Sequence, residues 1–127
     1  MLYSTLIVSE AEWQVLVGLV CDSPSEALKQ LMAKMIESPI KNNDTLQSLI
    51  GKRLVRQSGQ EMVFEPLVYL LVNEAVAATS FQELKSKTYA LICGNICLLF
   101  EPYKHAENMW RIVPFQDMEK LLDFLQK

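Results

Sequence analysis

The chain has 127 residues, half of them hydrophobic and 21% charged, a composition that builds one globular domain without disulfide staples. Its net charge of -3 argues against nucleic-acid binding, because the 12 Lys and Arg are scattered instead of gathered into a basic stripe. No charged leader with an apolar stretch opens the chain and no apolar run reaches the ~18 residues of a membrane span, so a cytoplasmic protein without membrane insertion is expected.

LYSTLIV (2–8) is β-branched and reads as a strand that ends at Ser9. Ser9 and Glu12 form a Ser-x-x-Glu capping box, and the helix it opens buries Trp13, Leu16, Val17 and Val20 at helical spacing. Ser23-Pro24-Ser25-Glu26 repeats that grammar, with Ser23 as N-cap, Pro24 as first helical residue and Glu26 as reciprocal cap. Leu28, Leu31, Met32, Met35 and Ile36 give this second helix its stripe, which stops before Pro39. KNND (41–44) is a loop whose Asn43 or Asp44 caps a third, short helix through Leu46, Leu49, Ile50 and Leu54. Gly51 weakens that helix by about 1 kcal/mol against Ala. In LVRQSGQEMVFEP (54–66), Ser58-Gly59 is a turn pair between two short strands. Pro66 opens a fourth helix, apolar nearly all round and therefore expected to lie sandwiched between other elements.

SFQELKSK (80–87) is the only stretch polar enough for a linker. TYALICGNICLLFE (88–101) follows, two apolar runs around a Gly-Asn pair, which reads as a hairpin. A two-residue loop sets Cys93 opposite Ile96 and Cys97 opposite Ile92. Ala90, Ile92, Cys97 and Leu99 then line one face, while Tyr89, Leu91, Cys93, Ile96, Leu98 and Phe100 line the other. Neither face is polar, as in strands buried on both sides. Cys21, Cys93 and Cys97 make no CxxC pair and read as reduced, buried thiols. EPYKHAEN (101–108) is a loop, MWRIVPF (109–115) a third strand, and 115–126 a helix with the stripe Phe115, Met118, Leu122 and Leu125.

The order is β-α-α-α-ββ-α, then β-β-β-α, an α+β domain spanning 1–127. Residues 1–79 are winged-helix-like; residues 80–127 make a three-stranded antiparallel meander backed by a terminal helix.

Catalytic signatures are missing from this pattern. His105 is the single histidine, with no cysteine or carboxylate at ligand spacing, so no metal site is expected. There is no G-x-S-x-G, P-loop or G-x-G-x-x-G, and most serines are used in caps and turns. A non-catalytic protein without a cofactor is the reading.

Two binding roles compete. As a winged-helix transcription regulator the chain would use its third helix, with Lys41, Asn42, Asn43, Gln47, Lys52, Arg53 and Arg56 near DNA and RQSGQE as the wing. That helix is short, its exposed face offers few positive groups, and Glu61 and Glu65 balance the wing. Protein binding follows from the hairpin instead. The terminal helix can cover one face; the helical module or a second subunit must cover the other, since an open face that size invites aggregation. The candidate interface is Leu91, Ile96, Leu98, Phe100, Tyr103, His105 and Trp110. The last three read as a packed corner or as a binding patch.

Three stretches carry a family resemblance: S-x-A-E-W from Ser9, S-L-I-x-K-x-L-V from Ser48, and E-x-V-F-E-P-L from Glu61, which opens an apolar helix. With the hairpin, the Trp110 strand and the terminal amphipathic helix, the order over about residues 6–126 resembles one half of the EspG-like chaperones of type VII (ESX) secretion. Those proteins are built from two similar halves. The resemblance implies a cytosolic adaptor or chaperone-like component that binds secreted helical-hairpin substrates or another secretion component. It also implies a homodimer in which a second copy supplies the missing half. No motif carries the family's substrate surface over to particular residues, and the tight Gly94-Asn95 turn is unlike a long gripping loop.

Overall fold

The computed structural model describes residues 5–35, 42–85, 87–105 and 109–126, with backbone alone for 42–44. In chain order these form β1 (Leu6–Ser9), α1 (Glu10–Val20), α2 (Glu26–Met35), α3 (Asn42–Gly51), β2 (Val55–Ser58), β3 (Glu61–Phe64) and α4 (Pro66–Val76). There follow β4 (Ser80–Lys85), β5 (Thr88–Ile92), β6 (Cys97–Pro102), β7 (Met109–Phe115) and α5 (Met118–Leu125). The architecture is α+β. Among the described residues, five strands form an antiparallel sheet in the order β1-β7-β6-β5-β4, and β2-β3 is a separate two-stranded sheet.

The hairpin β5-β6 lies at the middle of the large sheet, and its predicted register holds: Ile92 pairs with Cys97, and the Cys93 N–H donates to the Ile96 carbonyl. Asn95 in the turn donates to the Glu74 carboxylate of α4 at 3.0 Å, which ties the tip to the helical layer. Rows of side chains cross the sheet. Tyr89, Phe100, Ile112 and Leu6 are successive partners on one face; Ala90, Leu99 and Val113 are partners on the other. The first face packs into a core with Trp13, Leu16, Leu28, Leu31, Leu71 and Val72 from α1, α2 and α4. The second packs against Leu121, Met118, Phe124 and Leu125 of α5. Both faces of the hairpin are therefore covered by the chain itself.

Several elements differ from expectation. The linker at 80–87 is instead the edge strand β4 through Lys85, hydrogen-bonded to β5. It looks polar because an edge strand needs few apolar residues: Phe81 packs on the first core and Leu84 on the second. The meander accordingly has four strands rather than three, and β1 extends it beyond β7. The N-cap of α2 is Ser25, not Ser23. Its hydroxyl accepts from the Leu28 N–H, and its own N–H is taken by the carbonyl of Val76, which fixes where α2 starts. The β2-β3 pairing sets Ser58 against Glu61, so Gly59 and Gln60 form the turn, with Gly59 at φ 64. Gly51 ends α3 instead of interrupting it. In α5 the buried residue is Leu121, while Leu122 is exposed. Phe115 belongs to β7, so a stripe counted from it takes the wrong phase. Cys93 and Cys97 are buried on opposite faces, but Cys21 is only half-buried. α3 already begins at Asn42, so Asn43 and Asp44 lie inside the helix and neither is its N-cap, because a capping residue must precede the first helical one. Ile36 and Pro39 lie outside what is described.

The capping box of α1 forms as read: the Glu12 N–H donates to Ser9 Oγ at 3.0 Å and the Ser9 N–H to Glu12 Oε1 at 2.8 Å. Glu65 caps α4, accepting from the N–H groups of Leu67 and Val68, with Pro66 at the first helical position. No described helix is long and apolar enough to cross a membrane.

Candidate binding groove

Burial sorts the sequence-derived candidates. Leu91, Leu98 and Phe100 have no exposed surface, Ile96 is buried beside them, and all four face α1, α2 and α4. Their face is closed by the helical module and not by a second chain. Trp110 joins the same core, its ring 6.0 Å from that of Tyr89. Tyr103 and His105 meet edge to face at 5.2 Å in the loop after β6, and among the described residues no ring contact links them to Trp110. The structure thus brings five of the seven candidates together in the core and leaves Tyr103 and His105 outside it.

An open apolar surface lies elsewhere. The end of α3, the β2-β3 hairpin and the start of α4 enclose a groove of about 470 Å³, lined by Ile50, Arg53, Val55, Arg56, Val63, Phe64, Glu65 and Pro66. Each wall follows from local sequence. The Leu54 N–H donates to the Leu49 carbonyl and the Arg53 N–H to that of Ile50, the paired bonds that end a helix in a left-handed residue. That residue is Arg53, at φ 62, where glycine is usual. The Glu65 N–H donates to the Leu54 carbonyl, which closes the hairpin at its base and turns Pro66 into α4. Beyond the groove the apolar surface continues. Phe64 and Tyr69 are edge to face at 5.7 Å, and Tyr69 and Leu67 are 49% and 39% exposed. The expected sandwiching of α4 is not found, because it buries Val68, Leu71, Val72 and Ala75 and leaves its other side open.

The charges around the groove are unequal. Glu65 Oε2 accepts from two N–H groups at the start of α4. Arg53 and Arg56 are exposed and have no ion pair among the described residues. Lys52, next to Arg53, is held instead by Glu12 at 2.7 Å, and Ser48 donates to the other oxygen of that carboxylate at 2.8 Å. This part-buried contact ties α3 to α1 beside the groove's helical wall.

No family model, curated protein or solved structure matches this chain. Its function is therefore argued from its own surface. A second, smaller cavity of about 130 Å³ is lined by Glu10, Lys34, Met35, Lys87, Pro102, Met109 and Trp110. It brings the candidate Trp110 to a surface recess but offers less apolar lining. Among the described residues, no group of three or more His, Cys, Asp and Glu side chains is arranged to hold a metal.

Sequence reasoning named Arg53 and Arg56 as cations for DNA and passed over Phe64, Pro66 and Tyr69. One signal was available. With Glu65 as the cap, Phe64 and Tyr69 stand at the N′ and N4 positions, the spacing at which two large apolar side chains meet across a helix start.

Proposed function

We propose that the chain is a non-catalytic, protein-binding adaptor of the chaperone-like kind that serves a type VII (ESX/WXG100) secretion system, with a protein partner held at the α3-hairpin-α4 groove. The groove itself carries this reading. An apolar recess of about 470 Å³ that runs on to exposed Leu67 and Tyr69 is the kind of contiguous patch that marks an interaction site. The assignment to secretion rests on the three stretches and the element order that resemble the EspG-like chaperones. The expected cargo is a secreted helical hairpin, whose apolar face would otherwise be open to water.

The test mixes the purified chain with a WXG100-type helical hairpin and follows elution with light scattering, with labelled duplex DNA as the comparison at low salt. A stable complex with the hairpin and no shift of DNA is expected. A salt-sensitive DNA shift without any hairpin complex would replace the adaptor by a winged-helix regulator.

A further inference from the structure

We infer that the groove selects an acidic, amphipathic segment of its partner, an apolar side chain seated between α3 and the hairpin and a carboxylate on Arg53 and Arg56. This rests on the protein-binding reading above and adds the chemistry of the ligand.

Two observations converge. The first is charge complementarity. The groove's apolar lining carries two exposed guanidinium groups without ion pairs among the described residues, against one carboxylate, Glu65, whose Oε2 is engaged in capping α4. This cationic edge stands out on a chain of net charge -3, so a partner's acids would be drawn to this spot and repelled by much of the remaining surface. A guanidinium takes a carboxylate through two parallel hydrogen bonds, which fixes orientation as well as attraction.

The second is the backbone of Arg53. Its φ of 62 closes α3 at a position where glycine would sit without strain. An arginine there costs stability, and the helix ending does not need it. At that position Arg53 lines the groove, as Val55 and Arg56 do. The apolar surface also runs past the cavity to Tyr69 and Leu67, longer than a small organic acid requires and suited to a peptide segment.

The experiment measures fluorescence anisotropy of a labelled helical peptide with Leu and Phe on one face and Glu and Asp on the other, against the same peptide with Lys for each acid. Arg53→Gly, Arg56→Gln and the double variant are compared with the parent chain, with thermal melting as the folding check. The acidic peptide is expected to bind at least about tenfold tighter than its Lys counterpart. The double variant should lose that preference while Arg53→Gly melts no lower than the parent. Equal binding of both peptides, or acidic-peptide binding unchanged in the double variant, would overturn the groove assignment. In the second case protein binding would survive at another surface. Decanoate displacing the peptide at comparable concentration would make the site one for small organic acids. Self-association abolished by the double variant would make the occupant a second copy. Duplex DNA held by the two arginines would overturn both this inference and the adaptor reading.

Discussion

Glu12 gives the Ser9 N–H one carboxylate oxygen and still meets Ser48 of α3 and Lys52 just beyond its end, at only 3% exposure. Burial by itself pushes its carboxyl up. The Lys52 ammonium, the Ser9 N–H and the Ser48 hydroxyl outweigh that and hold it below its ordinary value. A carboxyl depressed by folding adds stability above its unfolded pKa, about 4.3, and loses it as pH falls through the folded value. Glu12→Gln should therefore cost roughly 1–3 kcal/mol near neutral pH. In urea titrations at a series of pH values, the gap from the parent should narrow below about pH 4. A gap that stays constant down to pH 3 would mean that the charge plays no part. The capping box was legible from Ser9 and Glu12; the reach to α3 was not, because a contact between residues 12 and 48 leaves no local pattern. Cys93 shows the other direction of burial. Desolvation, with the nearby charges of Glu74 and Cys97, pushes its thiol up to about 12, which keeps it protonated and inert at ordinary pH.

Elements were readable wherever a side-chain period was coupled to a cap or turn. Glu65-Pro66 announced α4, and the apolar runs around Gly94-Asn95 announced β5 and β6. The turn does this without glycine in the left-handed region; among the described residues, Gly59 is the glycine with positive φ. β4 was illegible because an edge strand is specified by its neighbour's open hydrogen bonds, not by its own composition. In α5, Met118-Leu121-Leu125 and Met118-Leu122-Leu125 satisfy the helical period equally, and only docking on β6 and β7 chooses between them. That choice is measurable. Leu121→Ala should cost about 2–4 kcal/mol in chemical denaturation, and Leu122→Ala less than about 1 kcal/mol. The reverse ranking would restore the sequence-derived phase. Arg111 reinforces the docking from the sheet. It pairs across strands with Glu101 at 2.6 Å and lies 5.6 Å from the Phe124 ring centre.

For the molecule as a whole, the hairpin no longer requires a second chain, since both of its faces are covered. The homodimer that the family resemblance implies would have to use another surface. β1 and β4 are the outer strands of the large sheet, and β4 carries exposed Ser80, Gln82, Glu83 and Lys85. Sedimentation at tens of micromolar should show a dimer if the EspG-like arrangement is completed by a second copy. A monomer throughout would end that expectation and leave the groove reading untouched. Leu98→Asp or Phe100→Asp is expected to abolish cooperative melting, because either places a charge where no water reaches. The groove was the least legible part of the chain. Its walls come from four consecutive elements, α3, β2, β3 and α4, and the concavity between them is a property of their packing that no local pattern carries.

Pairing of β1 with β7 also imposes an order in time. Leu6 and Val8 leave the ribosome before their partners Ile112 and Trp110, which lie more than 100 residues further along the chain. At ~5–20 residues per second, seconds pass in which β1 has no neighbour and its two core-facing side chains have no sheet to join. The capping box on α1 needs no such wait, since both of its members lie within one turn. A nascent chain would thus carry a started helix behind an unpaired strand until the Trp110 strand emerges, which makes that interval the one most exposed to misassembly.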